Sequence, residues 1–132
     1  MKNSRKGGRI METKDEKVLK EPFAEIGRKM HLLLHTGQLL MENGADSDRT
    51  VRDMMRTAAY MGIPKDRIHQ HVMYTTLLLN VNDEQHSYTE FRKCTKHGIN
   101  MTTLTAISKL TWRALEKNYS LHEFERHLLR IK

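Results

Sequence analysis

The sequence predicts an α+β fold of order ααβββαα: two N-terminal helices, a small, mainly antiparallel three-stranded sheet and two C-terminal helices. Three observations carry this. Apolar residues recur at helical spacing from Phe23 to Leu40 and again from Val51 to Ala58. Residues 67–94 then turn rich in Val, Thr, Tyr and Leu, broken by the polar run Asn82-Asp83-Glu84-Gln85. Beyond Gly98 the helical spacing returns.

The leader, residues 1–20, mixes Lys, Arg, Gly and Glu without apolar periodicity, the composition of a segment that cannot offset its ordering entropy. It is expected to be flexible, with Met11 as an alternative start. A single domain is expected over 21–132, a length that can bury a core unaided. The first helix is expected to begin at Glu21-Pro22, since proline suits a first turn. Its apolar stripe is Phe23, Ile26, Met30, Leu33, Gly37 and Leu40.

The helix runs into Glu42-Asn43-Gly44-Ala45-Asp46, where a glycine can close one helix and Asp46 or Ser47 can cap the next. The second helix, about Ser47 to Met61, stops at Gly62 with Pro64 beyond. It turns Val51, Met54, Met55 and Ala58 toward a core and carries Arg49, Arg52 and Arg56 on another face. Strands are expected at Ile68–Tyr74, Thr76–Val81 and Ser87–Cys94, the last two forming a hairpin. Asn100 is placed to cap a third helix with Leu104, Ile107, Thr111, Ala114 and Leu115. Asn118-Tyr119 breaks it, and Ser120-Leu121-His122-Glu123 spells a capping box for a fourth with Leu121, Phe124, Leu128 and Ile131. The chain stops with Ile131-Lys132 still on that stripe, an uncapped end that points to truncation.

The formal net charge of +7 is uneven: the leader contributes +4, leaving +3 for 112 residues. That argues against a basic nucleic-acid face on the folded part, although a helix-turn-helix reading of Arg49, Arg52 and Arg56 stands as a rival. One cysteine, Cys94, makes no intrachain disulfide, which fits a reducing compartment. No run approaches the ~18 apolar residues of a membrane span, and the leader lacks a signal-peptide core, so the chain reads as soluble.

No nucleophile elbow, phosphate loop or dinucleotide fingerprint occurs, and Cys94 with His97 has no set geometry. The only enzyme alternative is a metal-dependent hydrolase using His69 and His71, which alternate on a predicted strand, with Cys94 on a neighbouring one. His31 and His35, four apart on the first helix, could also meet a metal but lack the glutamate of a zinc hydrolase motif. Each fits an ordinary polar face better. The arginine row suits carboxylates and phosphates. Its simpler reading is a solvated face in which Asp48 pairs Arg52 and Asp53 pairs Arg49.

The ordered set MENGADSDRTVRDMMRTAAYMGI, VMYTTLLLNV, YTEFRKC, KHGINMTTLTAISKL and SLHEFERHLLRI resembles the hydrophilic N-terminal domain of the threonine/serine exporter-like family, which has a succinate-exporter branch. The resemblance spans about 22–131. It is most specific at Glu42-x-Gly44-Ala45, around Arg49 to Arg52, and at Gly98-Ile99-Asn100. It implies a soluble, non-enzymatic domain without cofactor at the inner membrane, and the lack of a signal and of cysteine pairs leans toward its cytoplasmic side. Its expected partner is a transmembrane domain or subunit that exports small amino acids or dicarboxylates, and a homo-oligomer is compatible with it. Gly44, Ala45, Asp46, Arg49 and Arg52 are the candidate residues for contact with a carboxylate-bearing substrate, through gating, access or docking.

Overall fold

The computed structural model describes residues 14–82 and 85–131, with side chains of the first helix described from Glu25 onward. The order is α1 (Lys14–Glu42), α2 (Ser47–Tyr60), a one-turn 3-10 helix (Lys65–Arg67), β1 (Ile68–Val72), β2 (Thr76–Asn82), β3 (Ser87–Lys93), α3 (Met101–Lys117) and α4 (Leu121–Leu129). This is the expected ααβββαα order. Residues 1–13 of the leader and the hairpin residues Asp83 and Glu84 lie outside the described residues.

Helix α1 starts at Lys14 rather than at Pro22. The intervening Lys, Glu and Leu are strong helix formers, which offsets the one backbone bond a proline forfeits. From Met30 onward α1 is buried well beyond one stripe: Met30, Leu32, Leu33, Leu34, Thr36, Leu40 and Met41 are all inside. The reason is its central place, in contact with β2 and β3 and with α2, α3 and α4. Gly37 marks a close crossing. A Cβ there would lie 2.6 Å from Met54 Sδ of α2 and 2.9 Å from Leu77 Cδ1 of β2.

The sheet is antiparallel in the order β1-β2-β3. Leu77, Leu79 and Val81 alternate along β2 onto the core face, opposite Ile68 in register with Val81. The intervening positions form an outer face on which Phe91, in register with Leu78, is 63 % exposed. Strand β1 ends two residues short of the expected Tyr74. Met73 and Thr76 exchange backbone bonds of 2.9 and 3.2 Å, which places Tyr74 and Thr75 in a two-residue turn.

The C-terminal punctuation follows the sequence closely. Asn100 accepts from Thr103 N, Asn118 ends α3 in the left-handed conformation (φ 51°), and Ser120 with Glu123 forms a full capping box on α4. The Tyr60 hydroxyl donates to the carbonyls of Tyr119 and Ser120, tying the end of α2 to this corner. Phe124 and Leu128 are buried from α4 as expected, whereas Leu115 on α3 is 41 % exposed.

Candidate functional site

The glycine corner after α1 owes its shape to backbone bonds. Ala45 N donates to Leu40 O at 2.9 Å and the Asn43 side-chain amide donates to Leu39 O at 2.7 Å, while Gly44 takes φ +100°. Two more carbonyls at the end of α1 are met from the far side of the chain. Gly98 N donates to Glu42 O at 3.1 Å, and Asn100 N donates to Asn43 O at 3.0 Å. The Glu42 carboxylate accepts from Thr95 N and Lys96 N at 3.1 and 3.4 Å. The segments Glu42-x-Gly44-Ala45 and Gly98-Ile99-Asn100, about fifty residues apart in sequence, are therefore two halves of one clamp.

Three of the five expected ligand contacts have internal work at this clamp. Gly44 faces Gly98, and Ala45 is buried. Asp46 caps α2, its carboxylate accepting from Arg49 N at 2.8 Å, so an anion already occupies the positive end of that helix.

The arginine row splits in a way the spacing did not foretell. Asp53 is 1 % exposed and points into the α2–α3 interface. It accepts from Arg56 Nη1 at 3.0 Å and from Ser108 Oγ at 2.7 Å. Ser108 Oγ accepts in turn from Arg49 Nη2 at 3.0 Å, and Arg56 also donates to Thr111 Oγ1 at 3.1 Å and lies 4.0 Å from the centre of the Trp112 ring. The expected Asp53–Arg49 pair gives way to Asp53–Arg56 because burial points the carboxylate at α3, where the Ser108 hydroxyl completes its shell. The expected Asp48–Arg52 pair does not form, and Arg52 lies exposed. Thr50 and Thr57 are buried on the same helix because their hydroxyls donate back to the carbonyls of Asp46 and Asp53.

The metal alternative does not assemble. His69 and His71 are exposed on the outer face of β1, in register with Asn80 and Leu78. Cys94 is 2 % exposed beside the opposite edge of β2, its N–H bonded to Thr75 O, and belongs to the core. Strand β2 separates them. Among the described residues no group of three or more His, Cys, Asp or Glu could hold a metal ion. Burial, reinforced by Glu42, pushes the Cys94 thiol up, away from thiolate character.

His31 and His35 stack on α1, ring centres 6.4 Å apart, under β3. Arg92 Nη2 lies 3.1 Å from His31 Nδ1 and Arg92 Nη1 donates to Gln38 Oε1 at 3.0 Å. Burial, then Arg92 and His31, lower the His35 pKa. A guanidinium in that position opposes a metal cation.

Two clefts remain. One, of about 480 Å³, lies between α1, the α2–β1 connection and the β2–β3 hairpin; it is walled by Ile26, Ile63 and Val81 and carries Lys29, Arg67 and Asn82 at its rim. The other, of about 550 Å³, separates α3 from α4. It contains Lys109 and Arg113, which sequence reasoning passed over. Their signal was legible: Lys109, Arg113 and Lys117 form a like-charge row at i, i+4 and i+8.

The fold is a small α+β domain in which the buried Asp53 carboxylate is bonded to Arg56 and Ser108, with Arg52, Lys109 and Arg113 exposed on its helices and Arg130 exposed at the end of α4. The chain belongs to the threonine/serine exporter family: the family model described as "Putative threonine/serine exporter" matches residues 31–132. No curated protein and no solved structure matches it significantly. No described helix is long and apolar enough to cross a membrane.

Proposed function

We propose that this domain assists a threonine/serine exporter-like transporter by receiving carboxylate-bearing solutes, small amino acids or dicarboxylates, for a transmembrane domain or subunit, and that it performs no chemistry on them. The observation that carries this is the family match across 31–132, which takes in the clamp, the sheet and both C-terminal helices. The family is one of transporters, so a solute's carboxylate is the chemistry to be met. Arg52, exposed and without a bonded partner, and Arg49, held at the α2–α3 edge by Ser108, are the contacts proposed for it. A cytoplasmic setting fits the lone reduced thiol.

A second location is favoured by its concavity: the 480 Å³ cleft has the size of a small-molecule site, and its lining includes Arg67 for a carboxylate, Asn82 for polar contacts and Lys29, which is ion-paired to Glu25. Calorimetric titration with threonine, serine and succinate tests both. Binding abolished by replacing Arg49 and Arg52 with Gln supports the α2 edge, and binding abolished by replacing Arg67 supports the cleft. Absence of heat with all three solutes would sink the solute-receiving role.

A further inference from the structure

The lining of the cleft between α3 and α4 includes Met101, Thr102, Thr105, Lys109, Arg113 and Arg130. Lys109, Arg113 and Arg130 line it together, and none of its described lining residues is an acid. The side chains of Lys109, Arg113 and Arg130 are exposed and neither hydrogen-bonded nor ion-paired to any described residue. They share that state with Arg52, whereas three other basic side chains of the helical layer are ion-paired. Arg28 meets Glu125, Lys29 meets Glu25, and Arg56 meets Asp53. Like charges four apart on one helix repel, so the arrangement costs stability unless an anion neutralises it. Apolar groups accompany the charges: Met101 in the lining is 60 % exposed, and Leu129, next to Arg130 at the end of α4, is 63 % exposed. Unpaired cations beside exposed apolar side chains complement a surface that presents phosphate above hydrocarbon.

We propose that this cleft docks the domain on an anionic phospholipid surface. Lys109, Arg113 and Arg130 take phosphate headgroups, the hydroxyls of Thr102 and Thr105 add donors, and Met101 and Leu129 reach the acyl boundary. The inference is independent of solute binding at α2 or at the other cleft. It stands on charge complementarity: an uncharged or zwitterionic lipid surface carries no net negative charge to neutralise these three groups.

The test is co-sedimentation of the full chain with vesicles of phosphatidylcholine alone and of phosphatidylcholine mixed with phosphatidylglycerol. The chain is expected to bind only the mixed vesicles, less so as salt is raised. Each basic side chain near such a surface is worth roughly a fivefold change in partition, so replacing Lys109, Arg113 and Arg130 together by Gln lowers binding about a hundredfold. The comparison is a variant with the same charge loss elsewhere, Lys65→Gln, Lys93→Gln and Lys96→Gln, which is expected to bind nearly as well as the parent. Equal loss in the two variants would show that net charge, including the basic leader, accounts for binding, and would overturn the proposal. So would saturable binding of free glycerol phosphate at this cleft without vesicle association. All three replaced side chains are exposed, so the variant keeps its fold.

Discussion

Gly44 and Gly98 meet face to face: a Cβ built on Gly44 would lie 3.0 Å from the Gly98 carbonyl oxygen and 3.3 Å from Ile99 Cα. The first residue also holds φ +100°, which a side chain disfavours. Gly44→Ala therefore meets backbone rather than a pliable side chain. A loss of about 2 kcal/mol or more is expected in urea unfolding, combining left-handed strain with a forced shift of the 98–100 loop. An unchanged midpoint would mean the clamp yields freely.

Asp53 joins Arg49, Arg56 and Ser108 into one network across α2 and α3. Asp53→Ala leaves Arg56, with 14 % of its side chain exposed, without its counter-charge, and a loss of about 3 kcal/mol is expected. Asp53→Asn keeps an acceptor and should cost less. Ser108→Ala removes one bond from the carboxylate, at about 1 kcal/mol. Denaturant midpoints of the three variants check the ranking.

His35 sits half-buried against Arg92 and His31, and its pKa is lowered in the fold from the ordinary 6.5. The unfolded chain therefore takes up the proton first. Stability from this group is complete above about pH 6.5 and declines as pH falls from there through the lowered folded value. His35→Gln is expected to flatten that part of the stability profile measured by thermal unfolding, while His69→Gln, on the exposed outer sheet face, should leave this decline in place.

Cys94 is buried and its thiol is pushed up by burial and by Glu42. Alkylation at neutral pH should be slow in the folded protein and rise at least tenfold in denaturant, tracking unfolding rather than thiolate formation. Zinc is expected to leave the rate unchanged, because His69 and His71 lie across β2 on the other face. Protection by zinc would revive a metal site.

By itself the sequence determined the order of elements and much of their punctuation. Those are local matters: Asn100, Asn118 and the Ser120–Glu123 box act within a turn of themselves, and Leu77, Leu79 and Val81 alternate whatever lies beneath them. Tertiary structure decided what those residues do for one another. Spacing along α2 offered Asp53 to Arg49, but only the packing of α3 could bury that carboxylate and bring Ser108 and Arg56 to it. Alternation put His69 and His71 on one side of β1, yet the strand order β1-β2-β3 and the core face of the sheet removed Cys94 from their reach. Glu42-x-Gly44-Ala45 and Gly98-Ile99-Asn100 were visible as separate motifs. That they form one clamp depends on long-range backbone bonds, Gly98 N to Glu42 O and Asn100 N to Asn43 O, which no local pattern encodes.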